Sequence, residues 1–547
     1  MRHRLLALLL IFALMLAPAA SASQAMGWEL VREDTLLGPG VTMTTQQFWG
    51  DSIRDYRLEQ YVTYSPGQGS LPVVYYGATV PATVGVINMG KAVESWGYRV
   101  LAGTNGDYFA VATGVPLGMV VTGGVLRTSS AYHYAVGFTA DGDAFVGKPD
   151  LTITASFHGY DLSVSGGYNK TRETQGGYTL FSSDFGSATR GSGAGVNVVL
   201  RPVAVPEDYV APQKPAPFLD PEPEREEPAE PSETEPGETE NAEPSAWDLW
   251  QQAKAAWEQE MAVWRWDLAW SVGGFETLPA QLSIGGGVTC VVESVSEQSG
   301  GVSIPEGRLV MTIDKRGGEF LVDELAGLVP GEQVRLSVSS PDPRWNRASS
   351  AIGAFKWIVQ DGVVASGLEA AAAPRTALGI KENGEVILYT MDGRRAGHSM
   401  GAGVTQVAKR LVELGCTQAV LFDGGGSTTF GATGALESTF TLQNRPSDGS
   451  QRPVPNGLFF VSPLQSTGEL GSLYLQPHRN LMLAGARQTL SALGIDTGYY
   501  PMGGETVGNL TYTVQGPGSR SRLPMTRAST AQAPTQKARA NMDFFAA

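Results

Sequence analysis

The chain has 547 residues, a hydrophobic fraction of 42% and a formal net charge of −15. This length exceeds that of one ordinary domain, and the apolar content is sufficient for a large core. Eleven acidic residues and one Arg lie between Asp220 and Glu243, so this stretch alone contributes −10 of the charge; a basic stripe that would suit nucleic acid is missing from the sequence.

The first 22 residues predict a secretory signal peptide. Arg2 and Arg4 precede an apolar run over residues 5–16, and Ala20-Ser21-Ala22 offers small residues for cleavage. The run is about 12 residues long, whereas a membrane span needs about 20. We therefore expect cleavage near Ala22, with an uncleaved anchor as the alternative. The mature protein is then secreted or associated with the cell surface, with no transmembrane segment.

Residues 30–200 alternate apolar and polar side chains between Gly, Asn and Asp turns, which predicts strands and hairpins. One predicted strand ends at Thr104-Asn105-Gly106-Asp107-Tyr108-Phe109. There Asn105 or Asp107 could contact sugar hydroxyls, with the aromatic rings as a wall. A turn with buried rings is the alternative interpretation.

An insertion follows this first strand-rich region. Residues 205–244 are rich in Pro and Glu, which predicts a disordered linker. Ser245 can cap a Trp-rich helix over 245–272, because apolar residues recur there at three- and four-residue spacings. The stripe comprises Trp247, Trp250, Trp257, Met261, Trp264 and Leu268. We expect it to dock on the protein's own surface; partner binding, carbohydrate stacking and membrane-surface contact are the alternatives.

Strand patterns resume in residues 281–465. A hairpin is predicted over 375–390 around Asn383-Gly384, and a helix capped by Thr405 runs to Leu414. A short apolar strand then ends at Asp423. The fold class is therefore α+β, with a strand-rich, mixed-sheet catalytic domain formed discontinuously by 23–204 and 281–465.

The end of the chain differs in character from the catalytic domain. Residues 466–515 predict a partial Ig-like β-sandwich segment, and residues 516–547 a disordered or aberrant tail.

The strongest candidate for chemistry follows the strand that ends at Asp423. Gly424, Gly425 and Gly426 let the backbone turn and approach a ligand, and their N–H groups can bind an anion. Ser427 and Thr428 add hydroxyl donors, and Asp423 lies where ligands of α/β sheets tend to bind. A tight turn whose Asp bonds its own glycines is the alternative.

Four further segments carry polar candidates. Arginine offers a planar fork suited to phosphate, and His398 is the one histidine retained, because His133, His158 and His478 stand alone in the sequence. The candidates in these segments are Arg375, Thr376, Asp392, His398, Asn444, Arg452 and Asn456. Metal-ligand spacing of Cys and His is not found, so no cofactor is predicted, although a divalent metal is not excluded. Cys290 and Cys416 could pair in an exported protein, but buried free thiols are favoured.

Taken in order, these motifs resemble the phosphodiester glycosidase family. The matching pieces are Asn105-Gly106 with Phe109, Arg375 to Gly379, Asp392-Gly393, Asp423 to Ser427, and Arg452-Pro453-Val454. The resemblance spans about residues 75–200 and 280–465. Asp107 stands where relatives often carry Gly, so it is assigned to substrate binding and not to acid catalysis.

The resemblance implies an enzyme that releases a sugar from a glycosyl phosphodiester. With the export signal, it suggests a substrate from the cell envelope or an exopolysaccharide. As a hypothesis, Arg375, Arg452 and the glycine amides hold the phosphate, and Asp423 is base or nucleophile, assisted by Asp392 or His398. The competing functions are a non-catalytic envelope- or carbohydrate-binding protein and a phosphodiesterase that cuts the P–O bond.

Overall fold

The structure is a computed structural model. It describes residues 23–130, 134–173, 176–191, 193–224, 244–476, 481–482, 491–503 and 545–546. The predicted signal peptide and residues 225–243 of the acidic stretch lie outside these residues. Of the predicted tail 516–547, only residues 545–546 are described. In the described part, α-helices span Val86–Glu94, Ala246–Ser271, Glu319–Ala326 and Val404–Glu413. None of them is both long and apolar enough to cross a membrane.

Strands dominate the described residues, and they form four large sheets. Sheet A has eight strands in the order Trp28–Gly38, Val41–Gly50, Asp55–Tyr64, Val386–Met391, Arg375–Lys381, Cys416–Leu421, Lys356–Gln360 and Val363–Val364. Sheet B has nine: Tyr160–Ser163, Thr152–Phe157, Gln333–Ser339, Gly287–Ser299, Ala194–Ala204, Leu309–Asp314, Thr179–Ser182 and Gly167–Tyr168, with Glu276–Thr277 beside Ala194–Ala204.

Two five-stranded sheets complete the set. Sheet C runs Thr441–Leu442, Phe430–Ala432, Arg99–Asn105, Asn456–Ser462 and Leu71–Tyr76. Sheet D runs Val125–Thr128, Val120–Thr122, Ser350–Ala354, Tyr134–Phe138 and Ala144–Gly147. Pairing within the four sheets is antiparallel, except for one short parallel pair between Gly167–Tyr168 and Thr179–Ser182. The predicted strand-rich α+β class is confirmed, with sheets that are almost wholly antiparallel.

The main core lies where sheets A, C and D face one another. It contains fully buried Tyr64, Phe138, Phe430 and Phe460, contributed by all three sheets. The helix Val404–Glu413 covers the other face of sheet A, and Val86–Glu94 covers the other face of sheet C. A second core lies between sheet B and residues of sheet D.

Several local predictions can be compared directly with the structure. The hairpin at 375–390 forms, and its turn places Gly384 at φ +86°, a left-handed conformation that suits glycine. The following helix begins two residues earlier than a cap at Thr405 would place it: its N-cap is Gly403, whose N–H donates to Gln406 Oε1 at 3.1 Å. Cys290 and Cys416 are buried free thiols.

The insertion is more ordered than its composition suggests. Residues 205–224 form neither helix nor strand, but they lie along the helix Ala246–Ser271 and accept hydrogen bonds from three of its tryptophans. The prediction of a disordered linker is therefore wrong for this part. Met261, Trp264 and Leu268 are buried, and Val329 packs against them from the neighbouring domain surface.

Of the predicted Ig-like segment 466–515, the structure describes one antiparallel pair, Leu470–Gln476 with Ser491–Asp496. Between the strands of this pair only Leu481–Met482 is described, and it pairs with Phe545–Ala546. Most of the remaining residues of the predicted segment lie outside the described part.

Candidate active site

The candidate site lies where strands of sheets A and C end side by side. The strand Arg99–Asn105 of sheet C and the strand Cys416–Leu421 of sheet A converge at their carboxyl ends. Asn105 Nδ2 donates to Asp423 O at 2.7 Å, and Asp423 N–H donates to Gly106 O at 3.0 Å. These bonds place Asp107 and Asp423, far apart in sequence, at one centre.

Asp423 begins a glycine loop, which we define as residues 423–429. Burial raises the pKa of Asp423 to about 6, although a Ser427 hydrogen bond, the charge of Arg452 and the Gly424 N–H act in the opposite direction. A carboxylate that is hard to ionise and partly enclosed is typical of a functional site. Asp423 is therefore the central candidate of the predicted set.

The loop's amides are used differently from the prediction. Gly425 N–H donates to Pro374 O at 2.9 Å, Ser427 N–H to Gly424 O at 3.2 Å, and Thr428 N–H to Gly425 O at 3.3 Å. These three groups close a tight turn, in which Gly425 has φ +59°. The predicted anion cradle of three glycine amides is therefore not formed as such, because the Gly424 amide bonds Asp423 and the Gly425 amide bonds Pro374.

A buried polar cluster supports the loop from below. Asn105 Oδ1 accepts from Thr376 Oγ1 at 3.0 Å and from Thr429 N–H at 3.1 Å, and Thr376 Oγ1 lies 3.3 Å from Thr428 Oγ1. Asn105, Thr376 and Thr428 are at most 1% exposed. These predicted substrate-binding residues meet at the site, and their polar atoms hold the loop in place.

Asp392, His398 and Asn444 form a second supporting cluster. Asp392 accepts from Asn444 Nδ2 at 3.0 Å and from Arg445 N–H at 3.0 Å, and its Oδ2 lies 2.8 Å from His398 Nε2. Asn444 Nδ2 also donates to Thr428 O at 3.2 Å. Asp392 is 3% exposed with both oxygens bonded, so it positions the loop. The predicted catalytic roles of Asp392 and His398 are not supported by this arrangement.

Arg375 does not face the site, and its predicted role as a phosphate ligand is wrong. Its nitrogens donate to Ala402 O at 3.2 Å, Ala371 O at 2.8 Å and Glu369 at 3.0 Å. Successive strand residues point to opposite sides, and Thr376 already points to the loop. Arg375 therefore lies behind the site as a structural tie.

Arginines do line the front of the loop. Arg452 donates to Asp448 Oδ2 at 2.7 Å, and its Nη1 lies 3.4 Å from Ser427 Oγ. A Cβ added to Gly425 would lie 3.3 Å from the guanidinium of Arg394, which is exposed and has a left-handed backbone at φ +61°. Arg394 was not among the candidates taken from the sequence. The sequence feature that could have identified Arg394 is its position directly after Asp392-Gly393.

Asp107 is the other residue that sequence reasoning undervalued. Its side chain is 1% exposed, and its N–H donates to Asn456 Oδ1 at 2.9 Å. Burial raises the pKa of Asp107 well above its usual range, while a Gly118 hydrogen bond and the charge of Lys170 oppose the shift and nearby Asp423 adds to it. Two carboxyls with raised pKa thus share the centre.

The described residues contain no group of three or more His, Cys, Asp and Glu side chains placed to hold a metal ion. A polar surface depression lies elsewhere on sheet A, lined by Arg32, Asp34, Lys381 and Glu385 among others. None of the predicted site residues lines it.

Comparison with known structures shows the fold. A hypothetical protein from Synechocystis aligns with a TM-score of 0.52 at 15% identity, over 77% of this chain and 62% of that one. The chain thus spans less than two thirds of that protein's length. A putative exported protein from Burkholderia pseudomallei K96243 gives a TM-score of 0.48 at 15% identity, over 74% of each chain.

The catalytic domain of zebrafish N-acetylglucosamine-1-phosphodiester alpha-N-acetylglucosaminidase, auto-inhibited by its pro-peptide, gives a TM-score of 0.33 at 13% identity, over 79% of this chain and 88% of that one. Curated protein sequences give no significant match. The model of the phosphodiester glycosidase family matches residues 280–461, which include Asp423, Arg394 and Arg452. Residues 280–461 are therefore similar to the phosphodiester glycosidase domain.

Proposed function

We propose that the protein is an exported glycosidase that hydrolyses the bond between the anomeric carbon of a sugar and the oxygen of a phosphodiester. The observation that supports this most is the position of Asp423, a partly buried carboxylate with a raised pKa beside arginines at a tight glycine loop. The family match to residues 280–461 supports the same reaction class.

Arg394 and Arg452 bind the phosphate in this proposal. Both lie against the glycine loop, since a Cβ on Gly425 would touch Arg394 and one on Gly426 would collide with Arg452. Guanidinium groups bind phosphate oxygens through two parallel hydrogen bonds and stabilise the charge that develops on the departing phosphate. Asp423 faces the anomeric carbon and stabilises the positive charge that develops there. Phosphate leaves readily once its charge is neutralised.

The predicted signal peptide supports an extracellular substrate, from the cell envelope or an exopolysaccharide. A sugar 1-phosphate diester in such material presents the charged group that two arginines suit. The sugar itself is chosen by side chains around the loop.

Hydrolysis in ¹⁸O-labelled water tests the reaction class. Methyl diesters of glucose, galactose, mannose and N-acetylglucosamine 1-phosphates serve as probes for the purified mature protein. We expect label in the released sugar, because water attacks carbon. Label in the phosphate would identify a P–O-cleaving phosphodiesterase, and binding without turnover of any probe would favour a carbohydrate-binding protein. Asp423→Asn serves as the matched control and should abolish turnover.

A further inference from the structure

Two buried polar atoms next to Asp423 have no hydrogen-bond partner in the described part of the chain. They are Oδ1 of Asp107 and Nδ2 of Asn456, on side chains that are 1% and 0% exposed. The other polar atom of each is used, because Gly118 N–H donates to Asp107 Oδ2 and Asp107 N–H donates to Asn456 Oδ1. An unpaired buried donor or acceptor costs about 1–3 kcal/mol. A water or ligand atom that bonds to both would remove this cost.

The two open atoms belong to the same centre as Asp423. The backbone bond from Asp423 N–H to Gly106 O, at 3.0 Å, joins the segment that precedes the glycine loop to the residue before Asp107. The charge of Asp423 also acts directly on the Asp107 carboxyl. Whatever binds between Asp107 and Asn456 is thus held beside the carboxylate assigned to the anomeric carbon.

The hydrogen-bonded atoms of the same two side chains are tightly packed. Glycines enclose the pair: a Cβ on Gly118 would lie 2.5 Å from Asp107 Oδ2, one on Gly353 2.8 Å from the same atom, and one on Gly106 2.6 Å from Asn456 Oδ1. Backbone therefore packs directly on both side chains. A water molecule matches an open acceptor beside an open donor, because it both donates and accepts and usually makes about three hydrogen bonds when buried.

We propose that Asp107 and Asn456 hold the water that hydrolyses the glycosyl phosphodiester, with Asp107 as its general base; this rests on the proposed function. Asn456 Nδ2 donates to the water oxygen, and the water donates to Asp107 Oδ1. The water oxygen then bonds to the anomeric carbon while its proton passes to Asp107. The bond from carbon to the phosphate oxygen breaks, and its electron pair leaves with the phosphate. Direct displacement inverts the anomeric configuration.

Lys170 positions this base without touching the reacting atoms. It comes from a different part of the fold, at the edge of sheet B, and its buried Nζ donates to Pro116 O at 2.6 Å and to Gly118 O at 3.1 Å. These bonds fix the chain that supplies the Gly118 N–H to Asp107. Burial lowers the pKa of Lys170, whereas the charge of Asp107 raises it.

Asp107→Asn is the sharpest test, because the amide oxygen can keep the Gly118 bond while an NH₂ group replaces the accepting Oδ1. We expect kcat to fall by about 10²–10⁴, the usual contribution of a general base, with KM little changed. Azide needs no base, so it should restore turnover in Asp107→Ala and yield the glycosyl azide of inverted configuration. Asp141→Asn, at an exposed carboxylate, is the matched control and should retain wild-type kcat.

The stereochemistry of the wild-type reaction, followed by NMR, is an independent readout that needs no variant. Inversion supports the proposal; retention overturns it, as does an Asp107→Asn enzyme that folds and keeps kcat within threefold of wild type. If the variants do not fold, a high-resolution crystal structure of the wild type and the stereochemistry of its reaction together test the proposal. A water bonded to both atoms supports the proposal, and an empty site overturns it. Label in the phosphate, or an inactive wild type, would instead contradict the proposed function.

Discussion

Asp423 illustrates how a single residue can be placed for function at a cost to stability. Its pKa of about 6 lies above the reference value of 3.8 because burial disfavours the charged form. For a carboxyl with a raised pKa, the stabilisation is complete below about pH 4 and is lost as pH rises through about 6. At neutral pH the folded protein therefore holds this carboxylate ionised against its environment.

Asp423→Asn should consequently stabilise the protein at pH 8 while abolishing activity. The gain in the free energy of unfolding is at most about 3 kcal/mol, from 1.36 kcal/mol per unit of pKa shift, and it should shrink to nothing near pH 4. Urea unfolding at both pH values measures it, with Asp141→Asn as the exposed control. If Asp423→Asn is less stable than wild type at pH 8, the ionised carboxylate stabilises the folded protein.

The arginines give a matched pair of variants with opposite effects. Arg452→Met should lower kcat/KM by about 10²–10³ by removing a donor to the phosphate, and should leave stability nearly unchanged, since its partner Asp448 is exposed. Arg375→Met should lower the free energy of unfolding by about 2 kcal/mol or more, because the buried Ala402 carbonyl loses a charged donor, while KM stays near wild type. Parallel kinetics and urea titrations distinguish them; a reversal of the two patterns would return Arg375 to the site.

At this scale the sequence predicted the right segments more often than the right atoms. Asp423, Asn105 and Thr376 were selected because each ends, follows or begins a predicted strand. Arg375 was misassigned although the alternation of strand side chains already separates it from Thr376. The role of Asp107 depends on its burial by glycines that are distant in sequence. The local sequence pattern around Asp107 does not contain this information.

At the scale of elements, the insertion is organised by a repeated contact between helix and extended chain. Trp250, Trp257 and Trp264 donate from Nε1 to the carbonyls of residues 220, 216 and 212, at 3.0, 2.8 and 3.1 Å. Seven helical residues rise about 10.5 Å, and four residues of extended polyproline chain about 12 Å. The two spacings nearly match, so an antiparallel Pro-rich segment can follow the tryptophans.

Replacing these three tryptophans with Phe should loosen that segment. The rings remain, but three hydrogen bonds worth about 0.5–1.5 kcal/mol each are lost. We expect faster proteolysis within residues 206–224 and unchanged kcat/KM. Mass spectrometry of the cleavage products measures the rate of proteolysis. Trp266→Phe with Trp270→Phe is the control, because both rings are exposed, at 64% and 75%. If residues 206–224 are cleaved at the same rate in both variants, the indole hydrogen bonds do not hold the segment.

The helix and its stripe were predictable from the spacing of apolar residues, and its cap at Ser245 pairs with Asp248 as such sequences favour. The order of residues 205–224 was not predictable, because composition reports only what a segment can bury alone. Here the neighbouring helix supplies the apolar surface and the indole donors that the Pro-rich chain lacks.

At the scale of the whole molecule, the strands on the two sides of the insertion are interleaved. In sheet B, Ala194–Ala204 pairs with both Gly287–Ser299 and Leu309–Asp314, and in sheet A, Asp55–Tyr64 pairs with Val386–Met391. The site depends on the same arrangement, since Asp107 precedes the insertion and Asp423 follows it. Neither half can complete a sheet or the candidate site alone.

A protease site engineered into residues 225–243 tests this dependence. After cleavage the two fragments should stay together in size-exclusion chromatography and retain activity, because the hydrogen bonds and cores of sheets A and B cross the cut. In urea the two fragments should separate and lose activity in a single transition. The midpoint of this transition should depend on protein concentration, because unfolding of the cut protein also dissociates the fragments. A protein cut within the strand Leu309–Asp314 is the control and should lose the fold. Fragments that part in native buffer after the 225–243 cut, each with its own folded core, would mean that the strands before and after the insertion do not form shared sheets in solution.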